Sequence, residues 1–322
     1  MLPLQDLRQL TLDGHSHPRG QAWLSAASGL VCAHDRVYVV ADDEHHLAVY
    51  RNRVAPGTLH RLVDGDLPGK TKARKKAKAD FESLFLLTPR HVGTRQLSSG
   101  RGPAGPAQDW AGQPASLLVA LGSGSRPQRC AGVVLALDSQ GEFMATPPRL
   151  FDLGPLFRPL RAALGDVNIE GAMVVGDALL LLNRAVDGRS ANALVRFDLA
   201  DLFDAMDGLD REPRPRAIRD YALGSLDGVA LGFTDGAALP DGGWVFTAAA
   251  ERRDDSVADG ECAGSVVGRV DAAGTLQGLH RLAQPLKAEG IAVRAQGGSL
   301  RICLVTDADD PLQPSRLLVT QL

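Results

Sequence analysis

Cysteine is scarce in this sequence, net charge is small and no apolar run is long. Cys32, Cys130, Cys262 and Cys303 are the only cysteines among 322 residues, and they form no CxxC pair and no Cys/His cluster. A disulfide framework or zinc module therefore has no support, and buried free thiols are expected. The formal net charge of -3 gives no general attraction to nucleic acid or to an anionic membrane. No stretch approaches the roughly 20 apolar residues of a membrane span. The opening MLPLQDLRQLTLDG lacks a basic start and an apolar core, so no signal peptide is read and a cytoplasmic monomer is the expectation. A GxSxG nucleophile elbow is also missing, and Ser28, in "ASGL", has no nearby base. "GDLPGKT" from Gly65 has three residues between its glycines where a phosphate loop needs four. His45 and His46 are adjacent, so on a strand they point to opposite faces and do not share a metal.

What the chain has is a repeat. "SGLV" at Ser28, "ESLF" at Glu82, "EGAM" at Glu170, "DGVA" at Asp227 and "EGIA" at Glu289 each set a polar residue and a small one before an apolar strand. Each copy leads into a second apolar run that ends in charged or polar residues, then a third, alternating strand. Four copies add a fourth strand, as in "LHRLVDG" from Leu59; the last copy lacks one. "LRQLTLDG" from Leu7 matches the fourth-strand pattern and can supply it from the N-terminus.

These patterns predict an all-β chain. Residues 1–322 form a single closed β-propeller of five four-stranded blades, with the N-terminal strand completing the last blade. Residues 7–14 are expected beside Leu317–Leu322. The copies are 54 to 88 residues apart. The longest step leaves room for a sixth blade but shows no second motif. It carries a Gly/Pro-rich insertion at 92–114, and residues 155–164 and 199–208 offer helical periodicity. A two-sheet sandwich would not explain one motif recurring at the same place in each unit.

Inner strands of a propeller line its channel, so Glu82, Glu170, Asp227 and Glu289 are predicted to converge at one end, with Ser28 in the fifth place. Clustered carboxylates repel, and either a hard cation such as Ca²⁺ or nearby lysines must offset them. Lys78 and Lys287 are the lysines placed to do so. A second polar layer is expected from the ends of the second strands: Asp42, Asn183, Arg184, Glu251, Arg252 and Asp307. Mixed acids and arginines at such a mouth suit a polar or anionic small molecule. The basic stretch at 65–80 contains "KTKARKKAK", has no interleaved aromatics and reads as a solvated loop leading into "DFES".

"ASGLVCAHDRVYVVADDE" resembles the opening blade of the phytase-esterase-like propeller family, and "IEGA" and "AEGIAV" resemble its later Glu-Gly blade starts. Propellers of the SdiA-regulated family share that habit. Glu82 is followed by serine where the family has glycine. The resemblance implies a channel-mouth site with Ca²⁺ or phosphoester chemistry. The expectation is a divalent-cation-dependent hydrolase of a phosphoester or other polar ester. The alternative is a propeller that binds a ligand or a protein, with a structural cation or none.

Overall fold

The computed structural model describes all residues except 15–16, 52, 92–113, 186–190 and 253–261. The Gly/Pro-rich insertion read at 92–114 therefore lies almost wholly outside the described residues. Strands run antiparallel in five sheets. Blade one is β2 (Ala27–Ala33), β3 (Arg36–Ala41), β4 (His46–Tyr50) and β5 (Thr58–Arg61). Blade two is β6 (Phe81–Leu87), β7 (Ser116–Gly122), β8 (Ala131–Leu137) and β9 (Arg149–Asp152). Blade three is β10 (Ile169–Val175), β11 (Ala178–Asn183), β12 (Ala193–Asp198) and β13 (Ala217–Asp220). Blade four has five strands: β14 (Ser225–Leu226), β15 (Val229–Ala238), β16 (Trp244–Glu251), β17 (Cys262–Val270) and β18 (Leu276–Arg281). In blade five, β19 (Lys287–Gln296), β20 (Ser299–Asp307) and β21 (Arg316–Gln321) are completed by β1 (Gln5–Gln9).

The inner strands touch in a cycle, β2 to β6 to β10 to β15 to β19 and back to β2, so the sheets form a closed five-bladed propeller. The closing strand pairs Gln5 with Val319 and Gln9 with Arg316, two residues earlier than the sequence pattern suggests. No sixth sheet occurs among the described residues. The long second step instead carries helix α2 (Gly154–Leu164), which packs with α3 (Leu199–Met206) against the apolar layer between blades two and three.

The core is a set of apolar layers between neighbouring blades. This explains why β4, β7 and β11 are buried along their whole length rather than on alternate residues. Outer strands such as β13 are exposed throughout. The basic stretch at 65–80 is not simply a loop: Thr71–Ala77 form helix α1. "TKARKKA" is built almost entirely of strong helix formers, a propensity its charge obscures. No helix among the described residues is long and apolar enough to cross a membrane.

Candidate functional site

The repeated motif is a β-bulge. Register shifts fall between Ala27 and Leu30, Phe81 and Ser83, Ile169 and Gly171, Phe233 and Asp235, and Ala288 and Ile291. A bulge leaves a residue outside the ladder and re-aims its side chain. Here the bulged residues are Ser28, Glu82, Glu170, Thr234 and Glu289. In every blade but the fourth, where Asp235 follows Thr234, the next residue is glycine or serine and serves close contact between inner strands. A Cβ on Gly290 would lie 2.2 Å from the Ser28 carbonyl oxygen, and one on Gly29 would lie 2.5 Å from the Leu84 nitrogen.

Asp227 therefore does not belong to the ring. "Asp-Gly" at 227–228 is the two-residue turn joining β14 to β15, with φ of 50° and 82°, and such turns favour that dipeptide. Its carboxylate is exposed and faces Arg281 of β18, the outer strand, at 2.7 Å. The fourth ring position is held by Thr234, whose hydroxyl donates to the Ala288 carbonyl at 2.7 Å. Asp235 beside it is buried and accepts from the amides of Gly236 and Ile291, tying blade four to blade five.

The ring opens into a cavity of about 630 Å³. Ser28, Asp42, Lys78, Glu82, Glu170, Arg184, Glu251, Arg252, Lys287, Glu289 and Asp307 all line it. Asn183 does not. It is fully buried behind the wall, where its side-chain oxygen accepts from the Asn168 amide at 2.8 Å. The acids divide between two centres rather than meeting at one point. In the first, ligand atoms of Asp42, Asp80 and Glu82 lie within 4.8 Å of one another. Lys78 contacts both Asp42 and Asp80, the latter at 2.7 Å. Arg129 and Ser123 donate to the other oxygen of Asp80. In the second centre Lys287 meets Glu251 at 2.7 Å, Glu289 and Asp309 at 3.0 Å and Asp307 at 3.5 Å. Arg184 reaches Glu251 at 2.7 Å and Glu170 at 3.8 Å.

Local patterning missed Asp80, Arg74, Arg129 and Asn168. Asp80 is visible only as the first acid of "DFE", two residues before Glu82 and in a left-handed turn with φ of 60°. Arg74 and Lys78 are four residues apart, so helix α1 turns both toward the cavity. Arg74 meets Asp43 at 3.2 Å. Arg129 arrives from a 3₁₀ turn after β7, and no local sequence signal places it there.

Burial raises four of these carboxyls, Glu82, Glu170, Glu289 and Asp307, above their ordinary range. Burial, then Asp80 and Glu170, push Glu82 far above the usual carboxylate range. Glu170 and Asp307 are raised chiefly by burial, against the pull of Arg184 and Lys287 respectively. Burial outweighs Lys287 and pushes Glu289 up to about 8. Its Oε2 is buried with no hydrogen-bond partner. Lys78 and Lys287 are also raised: burial alone would lower them, but neighbouring carboxylates more than compensate and keep both charged.

These shifts carry a stability consequence. Folded Glu289 keeps its proton to about pH 8, whereas the unfolded chain releases it near pH ~4.3. Its contribution is thus complete below the unfolded value and is lost as pH rises through the folded one. Between them the slope is about 1.4 kcal/mol per pH unit. Glu289→Gln should flatten the profile by one proton, read by urea unfolding at several pH values from 5 to 8. Parallel profiles for the two proteins would show that Glu289 is ionised throughout.

Comparison with known proteins follows the fold. A family profile, DUF6929, itself of unknown function, matches residues 23–104. No curated protein matches the chain. Among solved structures, the α-L-arabinofuranosidase catalytic domain from Coprinopsis cinerea is similar at 11% identity and a TM-score of 0.46, over 99% of this chain and 96% of that one. A gluconolactonase from Xanthomonas campestris gives 12% and 0.37 over 99% and 89%. An exo-β-1,3-galactanase from Phanerochaete chrysosporium gives 10% and 0.48 over all of this chain and 64% of its own. Residues 74–311 match the profile of DUF6910, and the chain belongs to that family of unknown function.

Proposed function

We propose that the channel mouth binds a divalent cation, Ca²⁺ foremost, together with a small polar anionic substrate, and hydrolyses a phosphoester or another polar ester. The observation that carries this reading is the convergence of Asp42, Asp80 and Glu82 at a cavity also lined by Arg74, Arg129, Arg184 and Arg252. The donor set is all carboxylate oxygen, which suits a hard cation. A cation there would polarise the ester oxygen and acidify a water. The chain's own groups supply the rest. Glu289 holds a proton near neutral pH and exchanges it with the leaving group or the attacking water. Arg74 and Arg129, which line the cavity, orient the anionic part of the substrate. With a cation held by Asp42, Asp80 and Glu82, Lys78 would be released from Asp42 and Asp80 and could pair with that anion.

One observation favours a second reading. Lys78 already contacts Asp42 and Asp80, and Lys287 contacts four carboxylates. Acids neutralised in this way suit a propeller that binds a ligand without chemistry.

Melting curves with added Ca²⁺, Mg²⁺ or chelator, for wild type and Asp80→Asn, separate the readings when paired with hydrolysis assays on nitrophenyl phosphate and nitrophenyl acetate. A cation at a hundred times its Kd should stabilise the wild type by about 2.7 kcal/mol, and Asp80→Asn should lose most of that gain. A cation response with no hydrolysis favours the binding reading. A wild-type curve unmoved by cation and chelator sinks the cation site.

A further inference from the structure

The cysteines depart from the expectation of burial: all four are free thiols, Cys32 is exposed, and the others are partly buried. Two of them meet. Cys32 lies near the end of β2 and pairs across the hairpin with Val37, while Cys303 lies in β20 between Ala292 and Val319. Ser28 is at the other end of β2, so this pair sits at the opposite mouth of the channel from the acidic site. β2 belongs to the first blade and β20 to the last, and the two strands touch. Both thiols line a second cavity of about 880 Å³, shared with His34, Arg53, Arg294 and Arg301.

We propose that Cys303 and Cys32 form a redox-active dithiol that a hydroperoxide oxidises to a disulfide, joining the first blade to the last. Cys303 is the attacking thiol. Cys32 beside it, then Arg301 and Arg53, favour its thiolate, so it lies low, at about 7. Cys303 beside it raises Cys32 well above its ordinary value, so it keeps its proton. A solvent-reached thiolate among arginines and beside a second thiol is the arrangement that site-selective oxidation requires.

The Cys303 thiolate attacks the terminal peroxide oxygen, the O–O bond breaks, and the alkoxide takes a proton and leaves as an alcohol or, from hydrogen peroxide, as water. Cys303 is left as a sulfenic acid. Cys32 sulfur then attacks Cys303 sulfur, the S–O bond breaks, and hydroxide leaves as water with the Cys32 proton. The balance is two thiols and one hydroperoxide giving one disulfide, one alcohol and one water. The bond joins blades that meet where the ring closes. It constrains nearly the whole chain in the unfolded state, the condition under which a cross-link stabilises most.

The test treats the full chain with one equivalent of hydrogen peroxide, traps remaining thiols with N-ethylmaleimide and maps peptides by mass spectrometry without reduction. A Cys32–Cys303 linked peptide is expected, with Cys130 and Cys262 still alkylated. Tm should rise by on the order of 5 °C and return with dithiothreitol. In Cys32→Ser the sulfenic acid should persist on Cys303 and be captured by dimedone. In Cys303→Ser, Cys32 should stay reduced. Oxidation of all four cysteines at similar rates, or a chain with no Cys32–Cys303 link, overturns the proposal.

Discussion

Deleting residues 1–14 abolishes cooperative unfolding. β1 covers the free edge of β21, and the segment reaches beyond the pairing at both ends. Leu2 donates its amide to the Arg281 carbonyl at 2.8 Å, and Thr320 donates to the Pro3 carbonyl at 2.7 Å. Leu10 and Leu12 are buried in the layer between blades five and one. Losing a buried leucine costs about 2–5 kcal/mol even when the backbone remains. Two of them, with a strand's worth of hydrogen bonds, approach the whole stability of an ordinary domain, about 5–15 kcal/mol. The exposed β21 edge also becomes a template for association. Calorimetry and circular dichroism of the truncated chain should show a broad, early or aggregating transition. A sharp transition at the full-length temperature would show that ring closure contributes little. Leu10→Ala, which keeps the strand, should cost about 3 kcal/mol.

The second large effect is Lys287→Met, which should destabilise the protein by about 3–5 kcal/mol. Lys287 is the common partner of Glu251, Glu289, Asp307 and Asp309, and all but Asp309 are mostly buried. Removing one partner of a buried ion cluster leaves charge uncompensated in a poorly solvated place. The sign with pH follows from the raised acids. Glu289 and Asp307 are protonated more readily in the folded protein, so at low pH the cluster needs the lysine less. The deficit of Lys287→Met should therefore shrink at pH 5 and grow at pH 8. Adding Glu289→Gln should recover part of it, and the double-mutant cycle measures the coupling. An equal deficit at both pH values, with no recovery, would mean that the lysine acts through packing alone.

Much of the fold was legible because its constraint is local and repeated. Each inner strand carries a bulge, and four of the five have glycine or serine behind it, so sequence similarity marks a geometric need. The N-terminal strand could be read for the same reason, since a fourth strand is missing from one repeat and surplus at the other end of the chain. The one false member, Asp227, shows where composition misleads. "DGVA" has the letters of the motif, yet Asp-Gly there makes a hairpin turn, while the real fourth copy has threonine in place of an acid.

By itself the sequence determined the number of blades, the N-terminal closure and three acids of the ring at one channel mouth, Glu82, Glu170 and Glu289, because bulge chemistry and strand period act over a few residues. Only the tertiary structure decided how those residues are partnered. Lys78 and Asp80 join Asp42 from another blade, Arg129 reaches back to Asp80, and Lys287 gathers acids from two blades. That Cys32 and Cys303 share one cavity depends on the ring closing, since they are 271 positions apart along the chain. Burial does the rest: a carboxyl becomes a proton holder only when neighbouring blades remove its water, and no window of sequence records that.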